Sequence, residues 1–225
     1  MKSKRLIIFT IISVVYFSCF GKDIRFHLWA QLDAMPGFSE ASEDVKAGQF
    51  DYPIKILKET APFLVNGMIS RSNFTYTPSD KLRGVSEFFE ISEMQPEDKI
   101  LNQIHYESPW ISEEENRFNC FVRCIRNQDQ EKTYELWASI QNPVIHGRGY
   151  GDLEKGFAGI KDAATDAVKN AVRQHYQNEI KNKPKEISGC VLIKNDPTIG
   201  IVAGKYVINL DFFLESGKII TYSIF

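Results

Sequence analysis

Residues 147–172, GRGYGDLEKGFAGIKDAATDAVKNAV, predict the element around which the fold is built. The second part of this stretch has apolar residues at helical spacing, which predicts one long amphipathic helix. Its small alanines let the helix backbone lie close to a sheet, and Asp152 is its predicted N-cap. The predicted buried stripe consists of Phe157, Ile160, Ala164, Ala167, Val168, Ala171 and Val172.

Short segments rich in β-formers surround this helix and complete a predicted β-α-β-β-β unit over residues 142–225. The glycines of residues 147–151 predict a turn between the first strand and the helix. We expect an antiparallel sheet with the long helix on one face, which places the chain in the α+β class. The strands are predicted at 143–146, 190–193, 206–214 and 219–224, with a turn at Ser216-Gly217 joining the last two.

Residues 51–141 predict a second unit that is mostly β. Its first part has a short helical pattern that stops before Pro62, followed by Asn66-Gly67, a pair typical of tight hairpin turns. Strands are predicted at 68–77 and 87–91, because β-formers dominate both segments. The predicted fold therefore contains more than one antiparallel sheet.

The clearest predicted hairpin lies in the same unit. Two segments alternate with period 2 and are separated by a polar loop at 127–130, as an antiparallel pair requires. We expect the first segment to face inward, which would shield both of its thiols. The alternating residues are Phe118, Cys120, Val122 and Cys124 in the first strand and Tyr134, Leu136, Ala138 and Ile140 in the second.

Three cysteines, Cys120, Cys124 and Cys190, follow the N-terminal segment. Cys120 and Cys124 are four residues apart, which is about 13 Å along a strand and beyond the ~7 Å limit for a disulfide. A bridge in an oxidising compartment would therefore use Cys190. The favoured interpretation is that all three are small buried hydrophobic side chains.

The first 21 residues, MKSKRLIIFTIISVVYFSCFG, predict a bacterial export signal. A basic start precedes an apolar run at 6–17 that is too short for a permanent membrane-spanning helix. Cys19 ends this run within a relaxed lipobox, Tyr16-Phe17-Ser18-Cys19, and is the predicted lipid attachment site. Two alternatives stay open: cleavage after Gly21, which gives a soluble chain from Lys22, and an uncleaved anchor.

The mature chain is predicted to be mildly acidic. Loss of the signal takes the 27 basic residues to 24 against 29 acidic ones, a net charge of −5. No basic stripe or polybasic patch is present, so nucleic acid is not an expected partner. Residues 22–50 predict an irregular lead or tether before the packed units.

The sequence has no strong catalytic, cofactor or metal motif. The glycines of residues 147–151 do not fit a dinucleotide fingerprint, because Asp152 stands where the third glycine is required. Glu113-Glu114-Glu115 predicts a solvated loop, and His175 continues the apolar stripe of the helix. The histidines are scattered without a metal-binding pattern at His27, His105, His146 and His175.

Parts of the chain resemble known envelope proteins. The helix pattern of Asp162, Ala163, Ala164, Ala167 and Ala171, between a glycine-containing strand and a closing strand pair, resembles the twenty-kilodalton bacterial outer-membrane lipoprotein family. A similar domain occurs in a periplasmic ring protein of the bacterial flagellum. The phrases YTPSDKLRG at 76–84 and NKPKE at 182–186 are similar to uncharacterised exported proteins of spirochaetes. These resemblances imply a location in the cell envelope, and they imply no known catalytic activity.

We therefore expect an exported cell-envelope lipoprotein on the periplasmic side, lipid-anchored to a membrane, that acts as a non-catalytic binding or scaffolding module. Its expected partners are the membrane, through the lipid on Cys19, and an envelope protein. The alternative is a secreted hydrolase whose catalytic residues are dispersed in the sequence. A cleft with convergent ionisable groups would favour the hydrolase, whereas an exposed sheet face would favour binding.

Overall fold

The computed structural model of the protein describes residues 23–33, 50–92, 98–139 and 141–222. These residues form an α+β fold with antiparallel sheets, which confirms the predicted fold class. The helices are α1 (Asp51–Ile69), α2 (Asp98–Leu101), α3 (Gln128–Trp137) and α4 (Phe157–Glu179). The strands are β1 (Asp23–Gln31), β2 (Ser72–Thr77), β3 (Phe88–Ile91), β4 (Ile104–Ser112), β5 (Arg117–Ile125), β6 (Val144–Asp152), β7 (Glu186–Ile193), β8 (Thr198–Val202) and β9 (Lys205–Ile220).

The strands form a small and a large sheet, both antiparallel. The small sheet has three strands in the order β1-β5-β4. The large sheet has six, in the order β3-β2-β7-β9-β6, with β8 paired to the first part of β9. None of the helices in the described ranges is long and apolar enough to cross a membrane. The predicted signal peptide and Cys19 lie outside those ranges.

Helices cover both faces of the large sheet. On one face α4 packs against β6 and β9, and α1 packs between this sheet and the inner face of the small one. One continuous apolar core therefore joins both sheets, with Phe212 and Val122 fully buried in it. On the opposite face Trp137 of α3 packs on Leu192 and Phe213.

The long helix α4 confirms the prediction from its apolar stripe, but the glycine-rich segment before it is not a turn. Residues 144–152 form one continuous strand, β6, and its glycines face α4. A Cβ on Gly149 would overlap the backbone of Ala163 and Ala167. The glycines are needed because the helix lies directly on the strand. Asp152 makes no capping hydrogen bond, and Gly156 precedes the first residue of α4.

The predicted irregular lead at 22–50 is wrong for residues 23–31, which form β1. Its alternating Ile24, Phe26 and Leu28 are buried, and β1 pairs with β5 along its whole length. The partner strand lies about a hundred residues further along the chain, so pairing across the sheet decides this element.

The predicted helix stop at Pro62 and hairpin turn at Asn66-Gly67 are also wrong. Helix α1 continues through both to Ile69. Proline removes one backbone hydrogen bond from a helix. The burial of Leu64, Val65 and Met68 on the far side of the proline offsets that loss.

The predicted strand at 134–140 is wrong, because α3 continues as a helix through Trp137 and ends there. Asn127 caps α3: its Oδ1 accepts a hydrogen bond from the backbone N–H of Gln130 at 2.9 Å, and the Gln130 Oε1 accepts from the Asn127 N–H at 2.9 Å. This capping box starts a helix where the sequence interpretation had a polar loop. Leu136, predicted to share one face of a strand with Tyr134, is 73% exposed on the resulting helix.

The predicted units at 51–141 and 142–225 share one sheet. Strands β2 and β3 come from the first unit, and β2 pairs with β7 of the second. Strand β9 runs without a break through Ser216-Gly217, where a turn was predicted, because β7 pairs with it on both sides of that point. The C-terminal unit also contains β8, which lies between the predicted strands at 190–193 and 206–214, and no separate strand follows β9 among the described residues.

Candidate binding face

The outward face of the small sheet carries aromatic and charged side chains in contact with one another. The opposite face of this sheet packs on α1, and no other helix of the described residues packs substantially on the sheet. We call this surface the aromatic face, and it consists of Arg25, His27, Glu107, Trp110, Asn119, Phe121 and Arg123.

Strand alternation explains how most of this face is formed. In β1 the buried Phe26 and Leu28 alternate with Arg25 and His27 on the outer side. The register pairs His27 with Phe121 and Arg25 with Arg123 of β5. Cross-strand neighbours on one face of a sheet lie about 5 Å apart, so these side chains touch.

A β-bulge in β4 brings Trp110 onto the same face. Glu107 pairs with Phe121 and Trp110 pairs with Asn119, so three steps along β4 match two along β5. Within the bulge Ser108 has a left-handed backbone, with φ of 47°. Without the extra residue Trp110 would point to the inner face, because successive side chains alternate.

The aromatic rings form a connected cluster. His27 stacks on Trp110 with ring centroids 5.1 Å apart and an angle of 16° between the planes. Phe121 completes the cluster, 5.8 Å from His27 and 5.6 Å from Trp110. Trp110 is 40% exposed, so part of its ring is free to contact a partner.

Charged groups surround the rings and hold them in place. The Arg123 guanidinium lies 2.7 Å from Asp23 and 3.4 Å from Glu107, and the Arg25 guanidinium lies 3.4 Å from Glu107. The Arg25 guanidinium also lies over the Phe121 ring, 4.1 Å from its centroid. Each exposed ion pair contributes little stability. The network does restrict the side chains before binding, so binding a partner costs less conformational entropy.

The candidate residues considered from the sequence do not come together into a catalytic site. Glu113-Glu114-Glu115 forms the exposed turn between β4 and β5. The His175 Nε2 lies 3.3 Å from Glu179, and its ring packs on Tyr176. No group of three or more histidine, cysteine, aspartate or glutamate side chains able to hold a metal occurs in the described part of the chain.

The three described cysteines carry free thiols. Cys120 and Cys124 are buried on the inner face of β5, as the alternation predicts. Cys190 is only half-buried, and its Sγ donates a hydrogen bond to the Asn73 Oδ1 at 3.0 Å. The preferred interpretation as buried thiols is thus confirmed for Cys120 and Cys124 and only partly for Cys190.

We expect Cys190 to react with iodoacetamide in the native protein much faster than Cys120. Burial raises the pKa of both thiols, that of Cys120 to about 11, and Cys120 is fully buried whereas Cys190 is only half-buried and within reach of the reagent. Mass mapping of timed samples measures both rates, and denaturant should make them similar. Rapid native labelling of Cys120 would contradict the inward face of β5.

The sequence interpretation missed the aromatic face because it did not predict β4. Ser108-Pro109 interrupts the alternation of that strand, and this interruption is the bulge that redirects Trp110. One signal was available in β5, where Phe121 stands among the polar residues Asn119 and Arg123 of the outward-facing set. An aromatic side chain on the polar face of a strand indicates a contact surface.

Comparison with known proteins supports a relationship over nearly the whole chain. A protein-family model matches residues 21–222. An uncharacterised protein of Treponema pallidum (strain Nichols) is 25% identical over 210 residues, which is 90% of this chain and 83% of the relative. The similarity to uncharacterised spirochaete proteins is therefore confirmed, and the resemblance to the outer-membrane lipoprotein family stays a prediction. No solved structure matches the chain.

Proposed function

Because the chain belongs to the family whose model matches residues 21–222, we propose a single function for this whole length. The protein is an exported cell-envelope lipoprotein, held on the periplasmic side of a membrane by a lipid on Cys19. It acts as a non-catalytic binding or scaffolding module for another envelope protein. The aromatic face is the binding surface.

The observation that carries this proposal is the composition of the aromatic face. Tryptophan and arginine are the residues that contribute most binding energy at protein interfaces, and here Trp110 lies within a patch that includes Arg25 and Arg123. Aromatic side chains provide a large contact area and lose little conformational entropy on binding. Charged side chains lie around the aromatic rings, like the polar rim of a protein interface.

The position of β1 limits where the partner is found. Asp23 is four residues after Cys19, so an extended chain spans at most about 14 Å between the lipid and the start of β1. His27 is another four residues along β1, about 13 Å further. The aromatic face would therefore lie close to the membrane surface, which favours a membrane-associated protein as the partner.

The hydrolase alternative has no supporting observation in the described ranges. The closest arrangement is His146, whose Nδ1 lies 2.6 Å from the Asp211 carboxylate. The His146 side chain is largely exposed on β6, and within the described ranges its hydrogen-bond partner is Asp211 and not a serine or cysteine. A hydrolytic triad needs a nucleophile within hydrogen-bond reach of the base.

Affinity purification from detergent-solubilised membranes tests the binding face. We expect Trp110→Ala to weaken recovery of the co-purifying protein by about 30-fold in affinity, the effect of removing a 2 kcal/mol hot spot. Tyr150→Ala is the matched control, since Tyr150 is also a strand aromatic, 45% exposed on β6. Equal recovery with both variants, or recovery of a glycan in place of a protein, would contradict the proposal.

A further inference from the structure

A polar cleft of about 500 Å³ opens where β5 passes into α3. It contains a buried arginine, Arg126, which is 7% exposed. We call it the arginine cleft. Its charged and polar lining includes Asp23, Arg126, Tyr134, Lys194, Asp196 and Asp211.

The surrounding structure fixes the position of the Arg126 guanidinium. The residue lies between the last residue of β5 and the N-cap of α3, so its backbone is held on both sides. The guanidinium lies over the Tyr134 ring, 4.2 Å from the centroid. Tyr134 is itself fixed, because its hydroxyl donates to the Lys194 carbonyl at 3.2 Å and its ring contacts Phe213.

Most of the hydrogen-bonding capacity of this guanidinium is unused. An arginine has five N–H donors, and within the described ranges Arg126 makes one long bond, from Nη2 to the Met68 carbonyl at 3.4 Å. Its Nε is buried without a hydrogen-bond partner, and no carboxylate of the described chain forms an ion pair with it. Burial lowers the pKa of Arg126, and the Glu131 carboxylate offsets this only in part, so the fold keeps this buried charge at a cost.

The acidic side chains of the cleft differ in whether they already have an ion-pair or hydrogen-bond partner within the protein. Asp23 is paired with Arg123, and Asp211 accepts hydrogen bonds from His146 and from the Asn195 amide. Asp196 has no such contact in the described part of the chain. Within the described part of the chain, the cleft thus offers one cation and one carboxylate that form no salt bridge, and Lys194 also lines it.

We propose that the arginine cleft binds the zwitterionic headgroup of an aminophospholipid. A phosphodiester oxygen accepts hydrogen bonds from Arg126, and the ammonium group donates to Asp196. A singly charged diester suits the site better than a phosphate dianion, because three carboxylates line the same cleft.

The membrane as the source of this ligand rests on the proposed lipid anchor. Asp23 lines the cleft and is within about 14 Å of Cys19 along the chain, so the cleft opens near the bilayer surface. Leu136 of α3, the helix that carries Tyr134, is an exposed apolar side chain suited to the same interface.

Titration of the full-length protein, in a phosphate-free sugar detergent, with glycerophosphoethanolamine tests the cleft by calorimetry. We expect saturable one-to-one binding that weakens at least tenfold in Arg126→Met. Asp196→Asn should weaken this ligand several-fold and leave glycerophosphoglycerol, which has no ammonium, unaffected. Arg148→Met is the matched control, because Arg148 is an exposed arginine that also lies over a tyrosine ring, that of Tyr150.

Thermal unfolding separates a ligand-binding role of Arg126 from a packing role. Because a methionine removes a buried charge that forms no salt bridge in the described part of the chain, Arg126→Met should melt at the same temperature as wild type or higher. A lower melting temperature with unchanged binding, no saturable binding by wild type, or equal affinity for inorganic phosphate would each overturn the proposal. The titration does not depend on lipid at Cys19, so a failed cleft and a failed anchor are distinguishable results.

Discussion

Replacing Gly149 with alanine is expected to destabilise the protein by about 3 kcal/mol or more. The added Cβ would overlap the Ala163 carbonyl oxygen and the Ala167 amide nitrogen, and it would lie 2.8 Å from the Asp166 carbonyl carbon. All three are backbone atoms of α4, which cannot move aside as a flexible side chain would. Relief of the overlap requires the whole helix to lift from β6, with loss of the close packing between them.

Urea unfolding followed by circular dichroism measures this loss. Gly200→Ala is the matched control, because a Cβ there meets no atom within 4 Å and the residue also lies in a strand of the large sheet. We expect the control to change the free energy of unfolding by no more than about 0.5 kcal/mol. Similar midpoints for both variants would show that α4 does not lie directly on the glycines of β6.

Replacing Cys19 with alanine is expected to move the protein entirely from the membrane fraction to the soluble fraction, or to block its maturation. The thiol is the only place where the proposed acyl chains attach, and each buried methylene contributes about 0.8 kcal/mol to membrane binding. Detergent phase partitioning and mass spectrometry of the mature N-terminus measure the outcome. Wild-type protein that begins with an unmodified Lys22 would show that the lipid anchor is absent.

Cys190→Ala is the control for the anchor experiment. It removes a thiol with the same chemistry, half-buried in the folded domain, and leaves the N-terminal segment unchanged. We expect this variant to partition like wild type. Release of both variants would indicate that the substitutions act through folding, because a lipid at Cys19 does not depend on Cys190.

Sequence periodicity was sufficient to predict the long helix and the inward face of β5. In α4 the stripe from Ile160 to Val172 repeats over three turns, and every member within that span is buried. In β5 the alternation of Cys120, Val122 and Cys124 is equally regular. Long, regular patterns of this kind leave few alternative structures.

The predictions from sequence were wrong where tertiary contacts or capping override the local preference of a segment. Glycine is typical of turns, but in β6 the glycines serve the close approach of α4, a contact that no local window of sequence contains. The segment after Asn127 alternates for only a few residues, and the capping box decided in favour of a helix. The aromatic face depends on a bulge and on two cross-strand registers, which only the assembled sheet reveals.

The pairing of distant strands has a consequence for the order in which the protein folds. Strand β1 pairs with β5, β2 pairs with β7, and β9 joins β6, β7 and β8 at the C-terminal end of the described chain. Closing such long loops costs conformational entropy before the strand contacts form, and this makes folding slow. Strand β9 holds the large sheet together and is the last of the described strands in the chain. A chain that passes through an export channel would therefore stay unfolded until β9 has crossed.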